Sequence, residues 1–287
     1  MQTALECIPC FLRQALEAAR FVTDDPSVHE RVLRDVLRWT AEMDLSDCPP
    51  RVGQRIHRRL RELTGADDPY RKPKDRFNRL ALDMLPDLRD KVRRSGDPFA
   101  TALRLAVAGN VIDLGVNGGL TVSDARGAVE RALDEPFRGD IAAFREATRN
   151  AHGILYLADN AGEIVFDRLL IEQMPPGRVT VAVRGGAVLN DATRADAETA
   201  GLAEVAEIVD NGSDAPGTIL DDCSEAFRRR FAAADLIVAK GQGNFETLSD
   251  EPANLYFLFK AKCPVIAGHA GLPVGTHATV RRQAVRA

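Results

Sequence analysis

Asp159 and Asn160 stand side by side, and Asn190 and Asp191 repeat the pairing of amide and acid later in the chain. Their side chains offer only hard oxygen donors. Asp159, Asn160 and Asp191 together suit Mg²⁺ or Mn²⁺ carrying several waters, and they do not suit structural zinc. Lys240 is one of only six lysines, and Gly241-Gln242-Gly243-Asn244 comes directly after it. A lysine before a glycine-rich turn can meet a phosphate, with backbone N–H groups helping. A divalent cation beside a phosphate cradle would do phosphoryl chemistry, holding a phosphate oxygen and acidifying water. Plainer readings stand beside these. Asp159-Asn160 could cap the helix that starts near Glu163, and Lys240 could be a surface lysine before an ordinary turn.

These residues need elements to bring them together. Apolar runs at 153–158, 178–183, 204–209, 235–239 and 263–267 recur with helical patterns between most of them. That rhythm predicts βαβ units and a parallel sheet. Each run leads into a polar, glycine-containing stretch: Asp159 to Glu163, Arg184 to Asp191, Asp210 to Asp214, Lys240 to Asn244, and Gly268 to Gly271. Ligands of open α/β sheets bind beyond the carboxyl ends of the strands, so the candidate residues fall where a site is expected.

Before residue 150 the period is helical, and no convincing strand is read there. Val28, Val32 and Val36 share a face, as do Val52, Ile56, Leu60 and Leu63. Phe77, Leu80, Ala81, Met84, Leu85, Leu88 and Val92 form a longer stripe. Further helices are expected over 99–114, 123–134 and 139–149. The predicted organisation is a helical region, 1–150, packed on a Rossmann-like parallel-sheet α/β domain, 151–287.

The chain has 287 residues, 45% of them hydrophobic, with 38 Lys and Arg against 42 Asp and Glu. It is too apolar for a disordered chain and long enough for a real core. The balanced charge argues against general nucleic-acid binding. No apolar run is long enough to span a bilayer. The first residues lack the pattern of a signal peptide. With five cysteines, the natural reading is reduced thiols in a cytoplasm. Cys7 and Cys10 could be half of a zinc site, a redox pair, or structural thiols at a helix start. His269 is the only histidine expected at a strand end. Oligomeric state is not readable.

The stretch Leu157-Ala158-Asp159-Asn160-Ala161-Gly162-Glu163 resembles a hallmark of the damage-control phosphatases, a family with an ARMT1-like metal-binding domain formerly catalogued as a domain of unknown function. Three other segments are similar to family motifs, Asn190-Asp191-Ala192-Thr193, Lys240-Gly241-Gln242-Gly243-Asn244 and Ala108-Gly109-Asn110, and Asp68-Pro69-Tyr70 with Lys74 and Asn78 resembles the pattern of its prokaryotic branch. Cys7-Ile8-Pro9-Cys10 resembles the prokaryotic branch. The resemblance covers nearly the whole chain. It implies a helical region on an α/β domain, with hydrolysis of sugar phosphates or damaged phosphometabolites supported by Mn²⁺, Co²⁺, Ni²⁺ or Mg²⁺.

Carried over, Asp159, Asn160 and Asp191 would hold the metal, with Asp196 a nearby alternative to Asp191. Lys240, Gly241 and Asn244 would hold phosphate, and Asn110 would reach in from the helical region. The attacking group would be water or the Asp159 carboxylate. Glu163 would act as an acid–base group, or merely favour its helix N-terminus. The Asp210 to Pro216 loop would shape the sugar end of the pocket.

Two other classes compete. One is a phosphometabolite-binding protein without turnover. The other is a methyltransferase, disfavoured by the lack of a Gly-x-Gly loop after the first strand. There is no P-loop either.

Overall fold

Proline and aspartate start most of the early helices. The computed structural model describes residues 1–109 and 122–282. In it α1 spans Cys7–Val22, α2 Pro26–Glu42, α3 Pro49–Thr64, α4 Arg71–Arg94 and α5 Pro98–Ala108. Asp25 and Asp97 accept hydrogen bonds from backbone N–H groups of the first turns of α2 and α5, whose first residue is proline. α6 spans Val122–Asp134 and α7 Ile141–Asn150. The expected helix over 99–114 is described only as far as Ala108. No described helix is long and apolar enough to cross a membrane.

The strands are β1 Phe137–Arg138, β2 Ile154–Leu157, β3 Val179–Val183, β4 Glu207–Asp210, β5 Leu236–Lys240, β6 Leu255–Lys260 and β7 His277–Arg282. They form one sheet in the order β1-β7-β6-β5-β2-β3-β4. Every pair is parallel except β6 with β7. The connecting helices are α8 Glu163–Ile171, α9 Arg194–Thr199, α10 Glu225–Ala233, α11 Gly241–Leu248 and α12 Pro264–Ala270.

Three sequence expectations need correction. The run 263–267 is the start of α12, not a strand. Cys263 is its N-cap and Pro264 its first residue, where a fixed φ and a missing N–H cost nothing. The strand of that region is β6, the aromatic-rich Leu-Tyr-Phe-Leu-Phe-Lys. A short apolar run does not by itself separate strand from helix. The third run begins as a single helical turn, Leu202–Glu204, before β4. Finally, β1 lies before residue 150, and at two residues it is too short to show a period.

Strand alternation divides the interior. Ile154, Tyr156, Val181, Val238 and Leu258 face a cluster shared with α4, α5 and α8. Leu155, Leu157, Ile237, Phe257 and Phe259 face a second cluster with α10, α11 and α12. Both faces of the sheet are therefore covered, as parallel sheets require. α1, α2 and α3 close on a third cluster around Phe11, Val32, Val36 and Leu60. From β2 the chain runs outward through β3 and β4 and then crosses back to β5 on the other side of β2. The carboxyl end of β2 is thus the switch point where a doubly wound sheet opens a crevice.

Candidate active site

The Asp159 loop leaves β2, and the Asp191 loop leaves β3. Backbone bonds join them: Ala161 N–H donates to Asn190 O at 2.8 Å and Ala192 N–H to Asp159 O at 2.7 Å. Asn160 and Asp191 face each other in an isolated antiparallel bridge. The structure therefore brings Asp159, Asn160 and Asp191 together. Asn160 Nδ2 donates to Asp159 Oδ2 at 2.8 Å and Glu163 Oε2 at 3.1 Å. Leu189, just before this loop turns, is the one described non-glycine residue with positive φ, at 46°. Left-handed backbone at such a residue is strain of the kind that collects at functional sites.

The acids are crowded and buried. Burial pushes the Asp159 carboxyl well above its ordinary value, and Glu163 and Asp191 push it further. Arg184 and Lys262 act in the opposite direction. Arg184 Nε donates to Asp191 Oδ2 at 2.7 Å, while its Nη2 stands 3.9 Å from Asp159 Oδ1, too far for a hydrogen bond. That buried Nη2 has no hydrogen-bond partner among the described residues. Behind Asp159 is Gly241, at φ +78°, where a Cβ would fall 1.9 Å from Asp159 Oδ2. Only glycine lets α11 begin so close to the carboxylate.

By residue type two carboxylates and an amide suit a hard divalent cation, and in this structure the Asn160 amide turns its Nδ2 toward Asp159 and Glu163. Among the described residues, no group of three His, Cys, Asp or Glu side chains is arranged to hold a metal ion. A cation held here would keep coordination positions for water or substrate. Asp196, the alternative to Asp191, is turned elsewhere. It is the third residue of α9 and forms a capping box with Thr193.

Lys240 ends β5 and is fully buried. Its ammonium donates to Ala106 O at 2.8 Å, to Glu163 Oε1 at 2.7 Å and to Asp167 Oδ1. An ammonium has three donors, and all three are used. Burial opposes its charge, but Asp167 and Glu163 outweigh that and hold its pKa above the ordinary lysine value. Asp167 also accepts from Tyr156 Oη at 2.9 Å. Its carboxyl is raised to about 6, chiefly by burial and against the pull of Lys240. Glu163 has both oxygens occupied, one by Lys240 and one by Asn160. Asn244 is also committed: Nδ2 donates to Lys240 O at 2.7 Å, and Oδ1 accepts from Thr218 Oγ1 at 2.8 Å.

Lys262 lies near Asp159, a placement that the sequence does not single out. It lies between β6 and α12, is exposed, and is close enough for its charge to lower the Asp159 pKa. Its N–H donates to Gln242 Oε1 at 3.3 Å, so its segment lies over the first turn of α11. Arg184 is visible in the sequence only as part of a strand end. Asn110 lies outside the described residues. His269 sits in the last turn of α12, not at a strand end, with Nε2 3.2 Å from Ser249 Oγ.

The Asp210 to Pro216 loop is gripped by α3. Asp214 accepts from Gln54 Nε2 at 2.7 Å, from Arg58 Nε at 2.9 Å and from Arg61. Cys7 and Cys10 open α1, and all five cysteines are free thiols. Burial raises the Cys7 thiol, with Cys263 and Cys10 among its neighbours.

The architecture is a doubly wound α/β protein with buried acids gathered at the switch point of its sheet. Comparison with known proteins makes this assignment specific. The model of the damage-control phosphatase ARMT1-like domain matches residues 3–278. A damage-control phosphatase of Archaeoglobus fulgidus is 36% identical, covering 94% of this chain and 95% of that protein. An uncharacterized protein of Methanocaldococcus jannaschii, MJ0202, is 34% identical over 96% of this chain and 94% of its own. The crystal structure of a DUF89 family protein, PH1575 of Pyrococcus horikoshii, matches with a TM-score of 0.86 at 31% identity, covering 99% of this chain and all of that one. PH1575 also bears the name damage-control phosphatase. The chain belongs to the damage-control phosphatase ARMT1-like family. That membership supports a hydrolase role of phosphatase type in metabolite repair.

Proposed function

We propose that the protein is a metal-dependent phosphomonoesterase acting on small phosphorylated metabolites, either sugar phosphates or damaged phosphometabolites. The observation that carries this reading is the Asn160–Asp191 bridge, which sets two acid-bearing loops side by side where Asp159 is buried and raised well above its ordinary pKa. Asp159, Asn160 and Asp191 are the residues that would hold Mn²⁺, Co²⁺, Ni²⁺ or Mg²⁺. When bound, the cation supplies Lewis acidity to a phosphoryl oxygen.

The chain's own residues do the rest. Asn160, held by Glu163, orients its amide oxygen as the third ligand atom. Glu163 is in turn fixed by Lys240, so this pair supports the site from behind. Lys262 is the exposed cation at the crevice and meets the incoming phosphate, together with the N–H groups that open α11. The neighbouring Arg184 guanidinium holds Asp191 in place and adds positive charge as the phosphoryl group transfers. The α3-anchored loop around Asp214 borders the side that accepts the rest of the metabolite. Free thiols throughout suit a reducing cytoplasm.

The test is phosphate release by metal-stripped protein from p-nitrophenyl phosphate and a panel of sugar phosphates. Each divalent metal is added back singly, with Asp159→Ala as control. Release that needs metal and disappears in the variant is expected. A folded protein releasing nothing with any metal would leave a phosphometabolite-binding protein as the better reading.

A further inference from the structure

Among the α4 side chains that reach the Asp159 and Asp191 loops, Asn78 bonds both, and the chemistry above does not use it. Asn78 is fully buried. Its Oδ1 accepts the Gly162 N–H at 2.7 Å, and its Nδ2 donates to Asp196 Oδ1 at 2.9 Å. Gly162 belongs to the loop that carries Asp159 and Asn160, and it precedes Glu163. Asp196 belongs to the segment that carries Asp191. Its other oxygen, Oδ2, accepts from Thr193 N–H at 2.9 Å and Thr193 Oγ1 at 2.7 Å. One amide from the helical region therefore holds both acid-bearing segments.

The surroundings make this a fixed strut. A Cβ at Gly162, φ +78°, would lie 3.0 Å from Phe77 Cβ and 3.2 Å from the Phe77 carbonyl oxygen, so α4 rests directly on the loop. Lys74, also fully buried, bonds Asp68 at 3.0 Å and Asp196 at 3.2 Å. Asn is fitted to the position by chemistry. It carries an acceptor and a donor on one short planar head, whereas Asp lacks the donor and Ala lacks both.

We propose that Asn78 is a positioning residue that sets the separation of the Asp159–Asn160 and Asp191 loops, and thereby the affinity of the cation site. The inference rests on the cation-site reading above. Partners that orient metal ligands typically account for about 10–100-fold in affinity or activity.

The experiment is a Mn²⁺ titration of the full chain by calorimetry, comparing wild type, Asn78→Ala, Asn78→Asp and Asp159→Ala. Circular dichroism confirms the fold of each. Both Asn78 variants should bind Mn²⁺ about tenfold or more weakly. Asn78→Asp keeps the Gly162 acceptor but loses the bond to Asp196 and adds like charge beside it. A purely structural Asn78 would lower the melting temperature and leave the Kd of folded protein unchanged, and that result overturns the proposal.

Amide exchange on wild type supplies a readout that does not depend on variants folding. Mn²⁺ should slow exchange at Gly162 and at Thr193 to Asp196 together. Slowing at only one segment also overturns it. Wild type that binds no Mn²⁺ more tightly than Asp159→Ala removes the cation site itself. By contrast, wild-type binding with unaffected Asn78 variants removes only the positioning role.

Discussion

Two groups of buried acids lie against each other in this fold, and they are balanced differently. In the inner group, Lys240 faces Glu163 and Asp167 and spends all three ammonium protons inside the protein. In the outer group, Arg184 bonds Asp191, its Nη2 stands 3.9 Å from Asp159 with no hydrogen-bond partner among the described residues, and Lys262 adds charge nearby. The inner group is a closed network of the kind that fixes geometry. In the outer group burial, with Glu163 and Asp191, pushes Asp159 well above its ordinary pKa against the pull of Arg184 and Lys262. A third acid, Asp214, makes the contrast plainer. Burial raises it, yet bonds from Arg58 and Gln54 bring it below the ordinary aspartate value. Asp214 is only half-buried whereas Asp159 and Asp167 are fully buried, so burial and partners both contribute to the difference. Under the proposed function, the raised acid at the sheet's switch point is where a cation would bind.

The largest expected effect is at the outer group. Asp159→Ala should lower kcat/KM by more than about 100-fold, exceeding the usual loss for an outer-shell partner, and phosphate-release kinetics measure it. Breaking the inner group should instead cost stability. Lys240→Met leaves Glu163 and Asp167 buried without their cation and should destabilise by about 3–5 kcal/mol, read by urea unfolding. If Lys240 were chiefly a phosphate ligand, KM would rise while stability changed little.

Lys262→Ala should leave the fold intact and raise KM by about tenfold or more, as expected for one charge-assisted hydrogen bond to phosphate. The smallest effect concerns Asp214. Its folded pKa is depressed, so its stabilising contribution is present above the unfolded aspartate value near 4 and is lost as pH falls through the lower folded value. Asp214→Asn should be less stable than wild type at pH 7, and the gap should narrow as pH drops below about 4. Thermal melts across that range would show it. A gap that stays constant with pH would mean the Arg58–Asp214 pairing adds nothing electrostatic.

The outer group is legible in the sequence because strand ends are legible. Buried strands such as Leu-Ile-Val-Ala announce themselves, and the residues just past their carboxyl ends gather on one edge of the sheet. Asp159, Asn160 and Asp191 converge as that logic requires. Lys240 is legible as a position but not as an orientation, since nothing in Lys-Gly-Gln-Gly shows that the ammonium turns toward Asp167. Lys262 escapes a sequence reading for a traceable reason. With a strand expected at 263–267 and not at Leu255–Lys260, the residues just beyond the true strand end look like a lead-in to a strand. Asn78 carries a weaker signal. With Lys74 it is a polar interruption in the apolar stripe of α4, and a buried polar residue needs a partner. The identity of that partner depends on α9, which sequence does not place.

The central claim is tested most directly by the stoichiometry of Mn²⁺ bound by metal-stripped protein, with Asp159→Ala and Asp191→Ala measured alongside. One Mn²⁺ per chain is expected in the unaltered protein, with loss of that binding in each variant. Binding that persists in both folded variants, or no binding in the unaltered protein, would contradict a cation site built from these two loops.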